Sequence, residues 1–223
     1  PPPPPPPPDE YTFDVRQALG IEDDELFILQ PTRVVQRKGI EHAIELVHRL
    51  GRKAKLVISH ASGDEGYDYE LRLKEYSKLM KVDTIFVSNI INEKRGITPD
   101  GRKIYTLEDI YPYADLVTYP SDFEGFGNAF LEAVYFKKPM LINRYAIFVR
   151  DIEPKGFDLV GMDGFLTKKN VEKVREVLTG ILFTGSRYEK IADLQGIQKG
   201  NRLLYSHDRC CRGISIDIAV ASM

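Results

Sequence analysis

Tryptophan is absent from this 223-residue sequence, and cysteine occurs only twice. The two cysteines, Cys210 and Cys211, are adjacent near the end of the chain, with no cluster of His or Cys around them. They therefore provide neither a disulfide framework nor a zinc site, and we expect a reducing, cytoplasmic compartment.

Long apolar runs are missing as well. No segment approaches the ~20 consecutive apolar residues that cross a bilayer as a helix. No basic segment followed by an apolar one begins the chain. The sequence thus predicts a soluble protein with no transmembrane segment.

Neither sign of charge is in large excess, since 31 Lys and Arg residues stand against 33 Asp and Glu, a net charge of −2. Nothing at the level of the whole chain therefore points to a nucleic acid as partner, although two or three cations suffice for a local anion site. No Gly-x-Gly-x-x-Gly follows the first predicted strand, which argues against a dinucleotide-dependent dehydrogenase. The Asp-x-Asp pattern expected of a metal-held diphosphate is also missing from the sequence, and we expect no metal site.

The two ends of the chain differ from its middle. Residues 1–10 are eight prolines followed by Asp9 and Glu10, which favours a stiff, extended polyproline II segment. This segment is either a tail or a linker from a preceding domain. Residues 207–223 break the preceding helical pattern and form an atypical C-terminal tail, which leaves residues 11–206 as one domain.

Between these ends, short apolar runs alternate with amphipathic segments of helical spacing. Such alternation is typical of βαβ units and predicts an α/β, Rossmann-like fold, a parallel sheet with helices on both faces. Ligands of such sheets bind at the carboxyl ends of the strands, near the topological switch point. The segment from Asn89 to Lys103 is expected to be a long surface loop. The predicted strands are 26–30, 54–59, 84–87, 116–119 and 140–143, and the predicted helices are 39–50, 67–80, 106–113, 128–136, 171–182 and 188–204.

The loop after the first predicted strand is rich in cations. It contains Arg33, Arg37 and Lys38, and Gly39 permits a close backbone approach where a helix begins. Free N–H groups and the dipole at a helix start also favour anions. Arg can hold two phosphate oxygens at once while Lys acts as a point charge, so this loop suits a diphosphate. The alternative is a solvated basic loop.

A second group of residues lies where the fourth predicted strand leads into a helix. Gly125 and Gly127 remove side chains where a ligand could meet backbone N–H groups, and Asn128 is a candidate N-cap residue. Glu124 lies in the loop and Glu132 about one turn into the helix, so both carboxylates can face one cleft. Such a pair suits hydrogen bonds to vicinal hydroxyls of a sugar. Alternatively, Glu132 only favours the helix dipole and Glu124 is an ordinary loop charge.

A third and weaker group ends the third predicted strand. Ser88 and Asn89 are small polar residues that could border a nucleobase. Taken singly, each is better explained as part of a strand that runs into a loop.

These motifs together resemble the C-terminal domain of the group 1 (family 4) glycosyltransferases, which adopt the GT-B fold of two facing Rossmann-like domains. The resemblance spans residues 26–204, and two motifs at this separation in a βα series are more specific than either alone. The residues that carry it are the cationic pair of the first loop and an E-x7-E element: Arg33, Lys38-Gly39, Glu124, Gly125-Phe126-Gly127-Asn128 and Glu132.

The resemblance implies a donor site for a nucleoside-diphosphate sugar. Arg33 and Lys38 resemble the pair that holds the donor diphosphate, and Glu124 the glutamate that contacts the donor sugar near the reacting face. Glu132 would bind the ribose hydroxyls. Backbone contacts to the sugar and phosphate would come from Gly125, Phe126, Gly127 and Asn128. Ser88 and Asn89 would flank the base.

The resemblance also implies a retaining hexosyltransferase that uses no cofactor and no metal ion. Negative charge develops on the leaving β-phosphate, and cations with a helix N-terminus would stabilise it, a contribution of about 3–4 kcal/mol per donor group in other enzymes. The family's N-terminal, acceptor-binding domain is missing from this sequence, so we expect weak nucleotide binding and little or no sugar transfer. The alternatives are a GT-B nucleotide-sugar 2-epimerase and a non-catalytic nucleotide-binding or interaction module.

Overall fold

The computed structural model describes residues 3–62, 67–125 and 127–183. Its strands are β1 (Leu26–Gln30), β2 (Ala54–Ile58), β3 (Asp83–Phe86), β4 (Gly96–Ile97), β5 (Lys103–Ile104), β6 (Leu116–Tyr119), β7 (Met140–Asn143) and β8 (Val160–Met162). Six of them form one sheet in the order β3-β2-β1-β6-β7-β8, and every pairing in it is parallel.

Helices cover both faces of this sheet. The α-helices are α1 (Val15–Ala18), α2 (Ile40–Leu50), α3 (Asp68–Met80), α4 (Leu107–Ile110), α5 (Asn128–Tyr135) and α6 (Lys168–Phe183). Shorter helical turns occupy Gln36–Lys38, Tyr111–Tyr113 and Glu153–Lys155, and Phe148–Ile152 forms a π-helical turn.

The core has two layers, one on each side of the sheet. All of β1 is buried, and its residues alternate between the layers because successive side chains of a strand point to opposite faces. Phe27 and Leu29 pack in the layer that contains α5, whereas Leu26 and Ile28 pack in the layer of α2, α3 and α6. The predicted fold class is therefore confirmed.

The topological switch point lies between β1 and β6. From β1 the chain builds outward to β3 at one edge, then returns to place β6 beside β1 and continues to β8 at the other edge. Leu29 is level with Val117 in this central pairing. The loops after β1 and β6 therefore leave the same edge of the sheet, at the position where ligands of such sheets bind.

All five predicted strands are present, but β8 was not predicted. It has three residues with Gly161 at its centre, and glycine gives little strand signal. A Cβ at Gly161 would lie 3.0 Å from the Arg144 side chain, so the glycine leaves room for that arginine. Only pairing with β7 defines this strand.

The segment predicted as a long surface loop contains the antiparallel hairpin β4–β5. Gly101 has a positive φ of 83° within its turn. The Tyr11 hydroxyl lies 2.8 Å from the Gly96 carbonyl and 2.9 Å from the Ile104 carbonyl, so the N-terminal segment holds the hairpin. Such a tertiary contact has no local signal in the sequence.

The N-terminal segment contacts the domain as early as Asp9. One oxygen of its carboxylate accepts from the Thr12 N–H at 3.1 Å, and the other accepts from Arg95 at 2.7 Å. The predicted helix 188–204, the tail 207–223 and Phe126 lie outside the described residues. Within the described part of the chain, no helix is long and apolar enough to cross a membrane.

Candidate functional site

The loops after β1 and β6 are joined by backbone contacts. Gly39 has a left-handed backbone, with φ 57°, and a Cβ there would lie 2.6 Å from the Pro120 carbonyl oxygen. The close approach that this glycine permits is therefore to the neighbouring loop. The Asp122 N–H donates to the Arg37 carbonyl at 2.9 Å, and the Arg37 guanidinium donates to the Phe123 carbonyl at 3.1 Å. These contacts hold the two loops together.

Lys38 and Glu124 form a buried ion pair at this junction. The Lys38 ammonium donates a hydrogen bond to Glu124 Oε1, and the Arg37 guanidinium lies 3.5 Å from Glu124 Oε2. Only 10% of the Lys38 side chain and 9% of the Glu124 side chain are exposed. The structure therefore brings together two residues, one from each motif, that lie 86 positions apart in sequence.

Electrostatics favour the ionised form of Glu124. Burial by itself would raise the pKa of Glu124, but the hydrogen bond and charge of Lys38 and the charge of Arg37 outweigh it and lower that pKa. Burial lowers the pKa of Lys38, with a further contribution from the charges of Arg37 and Arg33, while Glu124 opposes the shift. The carboxylate is thus charged at neutral pH and has a cationic partner.

Two tyrosines support the loop behind this pair. Gly127 has a φ of 92°, and a Cβ there would lie 2.8 Å from the Tyr119 hydroxyl and 3.1 Å from the Tyr145 hydroxyl. Burial raises the pKa of Tyr119 far above its usual range, and the nearby Glu124 charge adds to the shift. Burial raises the pKa of Tyr145 to about 12. Both hydroxyls therefore remain protonated at neutral pH.

The helix α5 begins beside this loop. The prediction that Asn128 is its N-cap is wrong, since Gly127 occupies the cap position with a backbone that favours glycine and Asn128 is the first helical residue. Among the described residues, no side chain accepts a hydrogen bond at this helix start. The N–H groups and dipole of the first turn can therefore serve an anionic ligand.

The start of α2 is less open than the sequence suggested. The Ile40 N–H donates to the Tyr69 hydroxyl at 3.0 Å, and that hydroxyl donates to Glu41. Tyr69, from α3, thus caps the helix, and a negative charge already lies in its first turn. We therefore regard α5, rather than α2, as the helix start suited to an anion.

Arg33 is exposed and lies in the β1 loop, next to the point where that loop pairs with the loop after β2. Its charge acts on two groups, because it contributes to lowering the pKa of both Lys38 and His60. Arg33, Lys38 and Glu124 consequently belong to one electrostatic environment. His60, which follows β2, was not among the sequence-based candidates, although its position after a strand at the same sheet edge could have indicated it.

Glu132 is placed differently from Glu124. It is half-buried on α5, and the Tyr111 hydroxyl donates to its Oε2 at 2.9 Å. Burial raises the pKa of Glu132 and the Glu108 charge adds to this, while the Tyr111 hydrogen bond opposes it. In the described residues its side-chain contacts are to Tyr111, and none joins it to the Lys38–Glu124 pair.

Three other candidate residues are exposed at the same edge of the sheet. A Cβ on Gly125 would meet no atom within 4 Å, so the space next to it is open. Ser88 and Asn89 follow β3, two strands away from β1. Across the described ranges, no three His, Cys, Asp or Glu side chains are grouped so that they could hold a metal ion.

Asn143 supports the site and was also missed. It ends β7, and although buried it bridges two loops, since its amide donates to the Ser121 carbonyl at 3.1 Å and its oxygen accepts from the Gly164 N–H at 2.8 Å. A polar residue that ends a buried apolar strand was the available signal. The bridge fixes the loop that carries Glu124.

Fold and site together define a Rossmann-like domain with a cation–carboxylate pair at the switch point of its parallel sheet. The chain belongs to the glycosyl transferases group 1 family, whose sequence model matches residues 12–192. The predicted membership in group 1 is thereby confirmed.

Two curated relatives are mannosylglucosylglycerate synthases. The one from Petrotoga mobilis is 34% identical over 172 residues, covering 69% of this chain and 39% of that protein. The one from Thermotoga maritima is 29% identical over 206 residues, covering 80% of this chain and 46% of that protein. The chain thus spans less than half of the length of either relative.

Among solved structures, the chain is similar to Anabaena Alr3699/HepE in complex with UDP-glucose. The TM-score is 0.61 at 14% sequence identity, and the match covers 84% of this chain and 47% of the other. At this identity the likeness concerns the fold alone, which is that of GT-B glycosyltransferases.

Proposed function

We propose that this chain is the C-terminal, donor-binding domain of a retaining, family 4 hexosyltransferase that uses a nucleoside-diphosphate sugar. The observation that carries the proposal is the buried Lys38–Glu124 pair, which lies at the switch point beside the uncapped start of α5. An ammonium has three N–H donors, so Lys38 can bind Glu124 and still donate to phosphate oxygens. The paired carboxylate keeps acceptor capacity for a sugar hydroxyl.

The remaining roles follow the same proposal. Arg33 joins Lys38 in holding the diphosphate, and Glu132 accepts hydrogen bonds from the ribose. The backbone at Gly125 and Gly127 approaches the sugar and phosphate. In the same proposal, Phe126 and Asn128 also contact the sugar and phosphate. Ser88 and Asn89 contact the base.

The chemistry is the departure of a nucleoside diphosphate. As the glycosidic bond breaks, negative charge accumulates on the β-phosphate, and the cations of the β1 loop with the α5 N–H groups would stabilise it. In this proposal protein groups supply that stabilisation, and neither a metal ion nor a cofactor takes part. The acceptor would bind to a further, N-terminal domain.

The relatives help to choose between the hypotheses. Both curated relatives are named as synthases of a glycosylated product, which supports sugar transfer over the 2-epimerase alternative. Their name makes a mannosyl donor the first to test, and the UDP-glucose bound to HepE makes that donor the second.

Calorimetry with UDP, GDP and ADP, followed by GDP-mannose and UDP-glucose, tests the proposal. We expect one base to be preferred and expect Arg33→Ala, Lys38→Ala and Glu132→Ala each to weaken binding. Losing a charged hydrogen bond costs about 1.5–3 kcal/mol, or roughly 10- to 100-fold in affinity. Lys169→Ala, an exposed change on α6, is the control that should bind as the unaltered chain does. Absence of nucleotide binding would instead favour the interaction module.

A further inference from the structure

The pairing between β1 and β2 continues beyond the two strands. Gln30 pairs with Ile58 at their ends, and Val34 pairs with Ser62 farther on, an offset of 28 residues in both cases. The Val34 N–H donates to the Ala61 carbonyl at 3.1 Å. The two loops therefore run side by side over the carboxyl edge of the sheet.

This register places His60 on the loop that runs beside the Arg33 loop, and the Arg33 charge acts on the imidazole. With an offset of 28, His60 is level with Thr32, and the next residue of its loop is level with Arg33. His60 Nδ1 lies 2.8 Å from the hydroxyl of Ser59, a buried residue whose N–H donates to the Gln30 carbonyl. The ring is thereby held at Nδ1, and since no hydrogen bond from the described residues engages Nε2, that nitrogen can meet a ligand.

Charged groups of neighbouring elements lie on or next to these two loops. From the β1 loop come Arg33 and Lys38, and Lys38 is itself paired with Glu124 of the β6 loop. From α3 comes Glu70, which accepts from the Ser62 hydroxyl and from Lys74. On the loop of His60 itself, Asp64 and Glu65 lie outside the described residues.

Burial and two nearby cations both favour the neutral form of His60. Burial lowers the pKa of His60, and the charges of Arg33 and Lys38 lower it further. The imidazole is therefore neutral at pH 7 in the free protein. A bound anion between these groups would offset the two cations and favour the charged imidazolium.

We propose that His60 is the third side chain of the diphosphate site, with Arg33 and Lys38, and that it takes up a proton from solvent when a nucleoside diphosphate binds. This inference rests on the proposed function of the same site. The protonated ring donates a charge-assisted hydrogen bond from Nε2 to a phosphate oxygen. Nucleotide binding is thus coupled to pH through a residue outside both sequence motifs.

The sign of the coupling follows from linkage. A group whose pKa is higher in the complex than in the free protein adds affinity below its free pKa, and this addition is lost as pH rises through the bound pKa. Nucleotide affinity should therefore increase as pH falls from 8 to 6. The nucleotide's own phosphate titrates in the same range, with a pKa of about 6, so variants must be compared with the same ligand.

The experiment is calorimetric titration of UDP, GDP and inorganic pyrophosphate into the 223-residue chain at pH 6, 7 and 8. Each titration is run in two buffers of different ionisation enthalpy, which counts the protons taken up. His60→Gln is compared with His48→Gln, a matched control at the far end of α2 whose Nδ1 contacts the Met80 carbonyl. The His60 ring resonance is followed by NMR with and without the preferred ligand.

We expect His60→Gln to bind about tenfold more weakly at pH 6, with a smaller difference at pH 8, since it cannot form the charged hydrogen bond. It should also take up fewer protons than His48→Gln, and the ring pKa of His60 should rise in the complex. If the ligand binds but His60→Gln keeps the affinity, proton uptake and pH profile of the unaltered chain, this inference is wrong and the proposed function stands. If neither nucleotide nor pyrophosphate binds, both are overturned.

Discussion

Gly125 and Gly127 stand two positions apart in the same loop but meet different constraints. Gly127 has a positive φ and packs against two tyrosine hydroxyls, whereas a methyl group on Gly125 would enter open space. The free fold therefore requires a glycine at the second position only. The fold does not require Gly125, and this agrees with the proposed role of its backbone in approaching the ligand.

We expect Gly127→Ala to lower the free energy of unfolding by roughly 1–3 kcal/mol, through backbone strain and overlap with Tyr119. Gly125→Ala should change stability by less than ~0.5 kcal/mol, while weakening nucleotide binding because the methyl group blocks the backbone approach. Urea denaturation and calorimetry on both variants measure these effects. Equal stability of Gly127→Ala and the unaltered chain would contradict the packing argument.

The Lys38–Glu124 pair gives a pH-dependent prediction. Glu124→Gln leaves the Lys38 ammonium buried without an anion, which should cost roughly 1–3 kcal/mol of unfolding free energy at pH 7. Because the folded pKa of Glu124 is lowered, its contribution is present above the unfolded value near 4.5 and is lost as pH falls through the folded pKa. The difference between variant and unaltered chain should therefore shrink in acid.

Urea denaturation at pH 7 and at pH 3 checks this expectation. Glu172→Gln is the control. Glu172 is about half exposed, and its carboxylate lies as far as 3.9 Å from the Lys168 ammonium on the same helix, so the pair is weak. It should have little effect at either pH. If Glu124→Gln lowers the free energy of unfolding by the same amount at pH 7 and at pH 3, the ion pair is not the cause of the loss.

Among the secondary-structure elements, α2 and α5 differ in how they begin. The Tyr69 hydroxyl from α3 caps α2, whereas no described side chain caps α5. A helix start without a cap leaves N–H groups that a bound anion can satisfy. Thus α3 caps the start of α2, whereas the start of α5 is the one proposed to bind the ligand.

We expect Tyr69→Phe to lower the free energy of unfolding by about 1 kcal/mol, because the Ile40 N–H loses its acceptor. Nucleotide affinity should remain within about twofold, since α2 presents no open anion site in this proposal. Tyr67→Phe, a change at an exposed tyrosine, is the control. A large loss of affinity in Tyr69→Phe would assign the anion site to α2 after all.

For the whole molecule, the sheet places the proposed site at an open edge. The carboxyl ends of β1 and β6, at the switch point, are the usual location for ligands of such sheets. A GT-B enzyme completes its site with a second domain that faces this edge, and we propose that the acceptor binds there.

The 223-residue chain should therefore bind nucleotide but transfer no measurable sugar. Calorimetry measures the first property, and nucleotide release from GDP-mannose and UDP-glucose in the presence of candidate acceptors measures the second. Robust transfer by this chain would contradict the assignment as a donor-binding domain. A chain that neither binds nor transfers would instead favour an interaction module.

Local patterns were sufficient for much of the fold and for part of the site. The apolar run of β1 and the helical spacing of α2 identify their elements, because strand burial and helix amphipathicity are properties of consecutive residues. The motif residues Lys38 and Glu124 could be selected on the same basis, since each follows a strand. The hairpin held by Tyr11 and the glycine-centred strand β8 could not be predicted from local patterns, because contacts with distant residues define them.

The sequence by itself determined the class of fold, the family and which loops carry the polar side chains, since these depend on periodicity and on short motifs. Only the tertiary structure decided that Lys38 pairs with Glu124, that Glu132 bonds with Tyr111 and that the Arg33 charge acts on His60. The physical reason is that the partners come from segments far apart in the chain. Which side chains meet depends on how helices pack on the sheet and on how far each strand is shifted along the next, and no single segment of the chain encodes either.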